Sequence, residues 1–218
     1  MEGDDPDILL RWHRTTIGGL QVTYGDAGEG PPVVFLHGWG LSARSYARAL
    51  PLIAAAGSRV IAPALPGFGR SDPLPGAYTF ERLVAWVIDL LDALDLREPT
   101  AFIGHSFGGA VATAVAWERP QRVRSLVLVN SIGGSVWKTG RRGERLLADR
   151  PLWDWGLRLP GEFRGRDYRR VLPVVVRDLV GNALANPRAL LRAAELARHA
   201  DLRDELAALA KQGLPVSI

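Results

Sequence analysis

The segment Gly104-His105-Ser106-Phe107-Gly108-Gly109 constrains this chain more than any other. It follows the apolar run Thr100-Ala101-Phe102-Ile103 and opens into the small apolar stretch 110–116. It therefore reads as a G-x-S-x-G turn between a strand and a helix, the context in which that pentapeptide carries chemistry. Such a turn throws a serine hydroxyl clear of the backbone in a sterically poor conformation. Side chains at 104 and 108 would collide there, so both positions need glycine. Ser106 is the candidate nucleophile. The pentapeptide alone carries little weight, because a chain with 24 glycines in 218 residues meets it readily by chance. A plain glycine-rich turn that packs a helix on a sheet is the competing reading, and context must decide.

A second motif sits where a nucleophile needs it. Val33-Val34-Phe35-Leu36 ends abruptly in His37-Gly38-Trp39-Gly40, and 45–56 then reads as a helix. Attack on a carbonyl creates an oxyanion that must be met by aimed donors. Two backbone N–H groups can supply them, one from Phe107 and one from this loop, at Trp39. Glycines 38 and 40 let the backbone approach a substrate, which makes His37, Gly38 and His105 candidate substrate contacts.

A third signature runs from Val60-Ile61-Ala62-Pro63 through Ala64-Leu65-Pro66-Gly67-Phe68-Gly69-Arg70-Ser71-Asp72, a short strand entering a Pro/Gly-dense loop. In this order and spacing the three segments resemble the α/β-hydrolase fold family, over about residues 15–130. Position 64 departs from the pattern: the family often has Asp there and this chain has Ala, which changes how the loop is braced. The resemblance implies an α/β fold with a mainly parallel sheet flanked by helices. It also implies a helical cap, or lid, inserted after the sixth strand and folded over the active site.

Length and composition fit one substantial core. The chain has 218 residues, 47% hydrophobic, and no cysteine, which excludes disulfides and thiolate metal sites. No metal or cofactor is expected. The start, Met1 to Asp7, is acidic and lacks the regions of a signal peptide, and no apolar run is long enough to span a membrane. The expected setting is cytoplasmic. Net charge is only +4, yet residues 135–211 hold 16 Lys or Arg against 10 Asp or Glu. A solvated helical surface accounts for that excess, an anion-attracting face being the alternative. No recognised nucleic-acid module accompanies the charge, so nucleic acid is not an expected partner.

Strand patterns recur at 8–16, 20–25, 33–36, 59–62, 100–103 and 125–130. Helical patterns fall at 45–56, 79–94 and 107–118. Thr79 can cap the second, whose apolar stripe is Leu83, Trp86, Val87, Leu90, Leu91 and Leu94. Strand–helix alternation after an antiparallel entry indicates the parallel sheet. Beyond Asn130 the rhythm changes. Val171–Val176 is the one strand-like run, interrupted by Pro173, and 187–200 and 202–211 read as helices. The expected organisation is a hydrolase core at 1–134, a cap at 135–211 and the start of a returning core strand at 212–218. Trp137, Trp153, Trp155, Phe163 and Tyr168 would line the cap's underside, although for any one of them packing between helices is the plainer role.

A serine needs a base, and the base an orienting acid. In this fold the chain order is Ser, then Asp or Glu, then His. The histidines are His13, His37, His105 and His199. His13 lies on the first strand, His37 in the oxyanion loop as a brace, and His105 beside the nucleophile with its ring turned away. His199, the one histidine after Ser106, falls in an arginine-rich cap helix as an exposed residue. By the resemblance the acid lies shortly beyond the strand that begins near Gly213, and the histidine later still. Some relatives place the acid after the sixth strand, where this chain has Asn130. The sequence thus reads as a hydrolase lacking its last two core elements, and an unpaired sheet edge prone to self-association is expected.

The reading that follows is a cofactor-free serine hydrolase acting through an acyl-enzyme on Ser106. Its substrate is a small molecule with an apolar acyl group, held through a carboxylic ester or a carbon–carbon bond next to a ketone. Haloperoxidase-like activity shares the serine elbow. Dehalogenase and epoxide hydrolase relatives place Asp where this chain has Ser106. The rival class is a non-catalytic binding protein on a truncated hydrolase fold, and a third reading has another chain supply the missing histidine.

Overall fold

The computed structural model describes residues 9–134 and 168–218, with backbone alone at 168–171. Seven strands form one sheet: β1 (Arg11–Ile17), β2 (Leu20–Ala27), β3 (Pro32–Leu36), β4 (Arg59–Pro63), β5 (Thr100–His105), β6 (Val123–Val129) and β7 (Val216–Ser217). Their order is β1-β2-β4-β3-β5-β6-β7. β1, β2 and β4 pair antiparallel, and the pairs from β4 through β3, β5 and β6 to β7 are parallel. The helices are α1 (Leu50–Ala55), α2 (Phe80–Ala93), α3 (Phe107–Glu118), α4 (Tyr168–Ala185), α5 (Pro187–His199) and α6 (Arg203–Lys211). The mainly parallel sheet flanked by helices matches the expected fold class.

Alternation along β3 divides the core. Val34 and Leu36 face α2 and α3 in the larger apolar cluster, whereas Phe35 packs with Leu50 and Ala54 of α1 on the other face. The Thr79 hydroxyl accepts from Arg82 N–H at 3.3 Å, capping α2. That cap contributes about 1 kcal/mol, while each buried side chain of the stripe contributes about 1.5–3 kcal/mol. Leu83, Val84, Trp86, Val87, Leu90 and Leu91 are all buried, so packing fixes this helix. α3 is buried on every side from Phe107 to Ala116, as suits a helix with no polar stripe.

Two expectations need correction. The stretch 45–56 is not one helix: a 3-10 turn at Ala43–Tyr46 is followed by the separate α1. Pro51 explains the break, because it has no N–H to donate to an earlier carbonyl and is tolerated in a helix's first turn. Val171–Val176 is not a strand but part of α4, with Pro173 inside it. The expected aromatic underside at Trp137, Trp153, Trp155 and Phe163, and the Tyr168 side chain, lie outside what is described.

Topology positions the site. From β3 the chain moves to β4 on one side, then crosses back to β5 on the other. In such sheets the crevice opens at the carboxyl ends of the strands where the order reverses. Here that is the loop after Leu36 and the turn after His105.

Candidate active site

Ser106 joins β5 to α3 with φ 51° and ψ −115°, a region that costs about 1–3 kcal/mol for a residue with a side chain. Its surroundings over-determine that conformation. Ser106 N–H donates to Val129 C=O at 3.0 Å, and Ser106 C=O accepts from Gly109 N–H at 3.0 Å and Ile132 N–H at 3.3 Å. The flanking glycines are required by contact. A Cβ on Gly104 would stand 2.5 Å from Gly109 Cα, and one on Gly108 would collide with Leu36 C=O. The first N–H groups of α3, beginning at Phe107, have no carbonyl within the helix to bind, and they carry the positive end of its dipole.

The loop after β3 lies against this turn. A Cβ on Gly38 would be 3.4 Å from Ser106 Cβ and 2.9 Å from His105 Nδ1. Gly38 C=O is held by Leu41 N–H at 3.2 Å and by His37 Nδ1 at 2.9 Å. His37 Nε2 accepts from Leu65 N–H at 2.9 Å, so its proton sits on Nδ1, which donates to Gly38. A peptide unit is planar and trans, so pinning Gly38 C=O aims Trp39 N–H the opposite way. Burial is complete at His37 and lowers its pKa to about 4, which keeps the ring neutral. With no exposed surface and both nitrogens used inside the protein, His37 is a brace between two loops.

His105 turns away from Ser106 toward Tyr46, whose hydroxyl is 2.7 Å from His105 Nδ1. That hydroxyl also accepts from Gly38 N–H at 3.2 Å, so the turn and the loop share one phenol. Burial lowers the His105 pKa and raises that of Tyr46. His105 is thus also internally engaged. His13 stacks on Tyr24 at the edge of the sheet. His199 is exposed and pairs with Glu195 at 2.9 Å, one turn away on α5. Among the described residues, none hydrogen-bonds the Ser106 hydroxyl. Asn130 follows β6 with φ 45°, exposed to solvent.

The loop after β4 is braced without a carboxylate at 64. Ala64 is buried, its N–H donating to Thr23 C=O at 2.9 Å. Asp72 instead supplies the anchor: its carboxylate accepts Gln21 N–H at 2.8 Å and its C=O accepts Gly67 N–H at 3.0 Å. α4 and α5 then close on both loops. Asp178, Asn182 and Asn186, which sequence reasoning missed, all reach loop backbone or hydroxyls. Their four-residue spacing was the available signal. It was obscured by the valine run before them. Trp39 packs partly buried, its Nε1–H donating to Leu190 C=O at 2.8 Å.

The chain belongs to the alpha/beta hydrolase fold family, whose model matches residues 31–197. It is 40% identical over 119 residues to a non-heme chloroperoxidase, CPO-A1, of Kitasatospora aureofaciens, an alignment covering 54% of this chain and 43% of that protein. It is also 40% identical over 125 residues to a 2-hydroxymuconate semialdehyde hydrolase of Pseudomonas putida, covering 54% of this chain and 42% of that one. The matched part spans less than half the length of either relative. The crystal structure of a hydrolase from Pseudomonas aeruginosa PA01 superposes with a TM-score of 0.66 at 25% identity, covering 91% of this chain and 76% of that one. Among the described residues, no helix is long and apolar enough to cross a membrane.

Proposed function

We propose that these residues form the nucleophile half of a cofactor-free serine hydrolase. Ser106 attacks a carbonyl carbon, the backbone N–H groups of Phe107 and Trp39 hold the oxyanion, and water later releases the acyl group. The observation that carries this reading is the strained Ser106 elbow lying against Gly38, with the Gly38–Trp39 peptide pinned so that its N–H points away from His37's side. A carboxylic ester, or a carbon–carbon bond next to a ketone, with an apolar acyl group is the substrate class. In this reading residues 135–211 act as the cap, and the contacts of α4 and α5 with both crevice loops support that. A serine at 106 weighs against dehalogenase and epoxide hydrolase chemistry, whose family members use Asp there. The protein is read as cytoplasmic.

A second reading is favoured by one observation. All four histidines are placed away from the Ser106 hydroxyl, as expected of a binding protein that keeps the pocket without the chemistry. Labelling separates the two. The protein as its cell makes it should react with a fluorophosphonate at Ser106, and Ser106→Ala should abolish the label. An unlabelled wild-type serine would sink the hydrolase reading and leave the binder.

A further inference from the structure

α4 and the residue that joins it to α5 carry three polar side chains at four-residue spacing, and each ends on a crevice loop. The carboxylate of Asp178 accepts Ser42 N–H at 3.0 Å, Ser42 Oγ at 2.6 Å and Ser45 Oγ at 2.6 Å. One turn on, Asn182 is only 7% exposed. Its Nδ2 donates to Gly40 C=O at 2.9 Å and Leu41 C=O at 3.2 Å, while its Oδ1 accepts Gly69 N–H at 2.9 Å. Another turn on, Asn186 Nδ2 donates to Gly67 C=O at 3.3 Å. Leu179 fills the space between, where a Cβ on Gly40 would meet its Cδ1 at 2.6 Å.

These contacts act on the segment that would hold an oxyanion. Gly38 C=O is fixed from the core side by His37 and by the turn to Leu41. Gly40 and Leu41 C=O are fixed from the α4 side by Asn182. The Trp39 N–H lies between two anchors on opposite sides of the loop. Either anchor alone would leave the intervening peptides free to rock. Asn182 suits this task because a buried primary amide can donate twice and accept once in one plane.

We infer that Asn182, supported by Asp178, is a positioning residue for the oxyanion loop, so that α4 governs the rate of attack at Ser106 and not only the choice of substrate. The inference rests on the serine hydrolase reading above. It assigns to the cap side of the molecule a share of the reaction that a cap serving as a mere lid would not have.

The test uses the full protein and a fluorophosphonate, with the maximal inactivation rate and the half-saturating concentration measured separately. Hydrogen exchange of residues 38–45 is followed alongside. Asn182→Leu keeps the shape and deletes all three bonds. It should lower the inactivation rate about tenfold or more, while half-saturation stays within about twofold and exchange in the loop rises. Asp178→Asn, a milder change, should shift the same quantities in the same direction by less. Arg192→Ala breaks a different tie of α5, its bond to Gly76 C=O, and should change neither rate nor loop exchange. An unchanged rate in Asn182→Leu overturns the inference, as does an equal loss in Arg192→Ala, which would mean general loosening. A rise in half-saturation alone would reduce α4 to substrate selection and also overturn it. Wild-type protein that does not label at all defeats the hydrolase reading and this inference with it.

Discussion

A methyl group on Gly108 would collide with the carbonyl of Leu36, so the first turn of α3 and the last residue of β3 meet backbone to backbone. This contact sets the depth at which Ser106 stands in the crevice. Neither partner can retreat: Leu36 lies in the sheet between β4 and β5, and α3 is buried on every side. Gly108→Ala should therefore destabilise the fold by about 3 kcal/mol or more, read as a lower urea midpoint. Gly181→Ala is the informative contrast. Gly181 is exposed inside α4 with nothing within 4 Å of a new Cβ, so the same change there should stabilise by about 0.5–1 kcal/mol. Equal effects at both sites would contradict the contact argument.

His37 makes stability depend on pH with a definite sign. Its ring is neutral and buried, with a folded pKa of about 4 against an ordinary value of 6.5. Between those values the unfolded chain binds a proton that the folded chain refuses, so stability falls as pH falls from 6.5 toward 4. The loss is on the order of 3 kcal/mol across that window, and no further loss comes from this group below it. His105, whose pKa burial also lowers, adds in the same direction. Urea unfolding at pH 7.5, 5.5 and 4.5 measures the slope, and His37→Asn should flatten it. A wild-type profile with no slope would count against a neutral His37.

Much of the core was legible because its signals are local. The elbow at 104–109, the loop at 37–40 and the stripe of α2 depend on neighbours a few residues apart, and each needs particular residue types. The clamp by Asp178, Asn182 and Asn186 was not legible. Its partners Ser42, Ser45, Gly40 and Gly69 lie more than a hundred residues away, and polar residues at helical spacing look the same on a solvated face. Tyr46 escaped notice for a related reason. A continuous helix over 45–56 would have aimed it elsewhere, and the break before Pro51 turns it toward His105. His37 shows the opposite case: its place as a brace in the loop is legible in the sequence, while its complete burial is not.

One face of β6 is open to solvent. Leu126 and Leu128 point into the core, while Val127 and Val129 on the other face are 37% and 42% exposed. β7 beside it pairs through only two residues, Val216 and Ser217. Apolar side chains next to a short edge invite pairing with another chain. These 218 residues should therefore self-associate in a concentration-dependent way by sedimentation velocity. Val127→Lys should shift them toward monomer. A monodisperse wild-type monomer across the accessible concentrations would refute this.

The two histidines nearest the crevice should carry their protons on opposite nitrogens. Leu65 N–H donates to His37 Nε2, which leaves the proton of that neutral ring on Nδ1 for Gly38 C=O. At His105 the order is reversed. The Tyr46 oxygen accepts Gly38 N–H, so its own proton goes to His105 Nδ1 and the ring proton must sit on Nε2. A long-range proton–nitrogen correlation spectrum near pH 7.5 distinguishes the tautomers directly. Tyr46→Phe should leave the His37 pattern intact and raise the His105 pKa, because the variant deletes a donor that favours the neutral ring. It should also cost about 1–3 kcal/mol, since Gly38 N–H loses its acceptor. The same tautomer at both histidines would mean that one of these hydrogen-bond chains runs the other way.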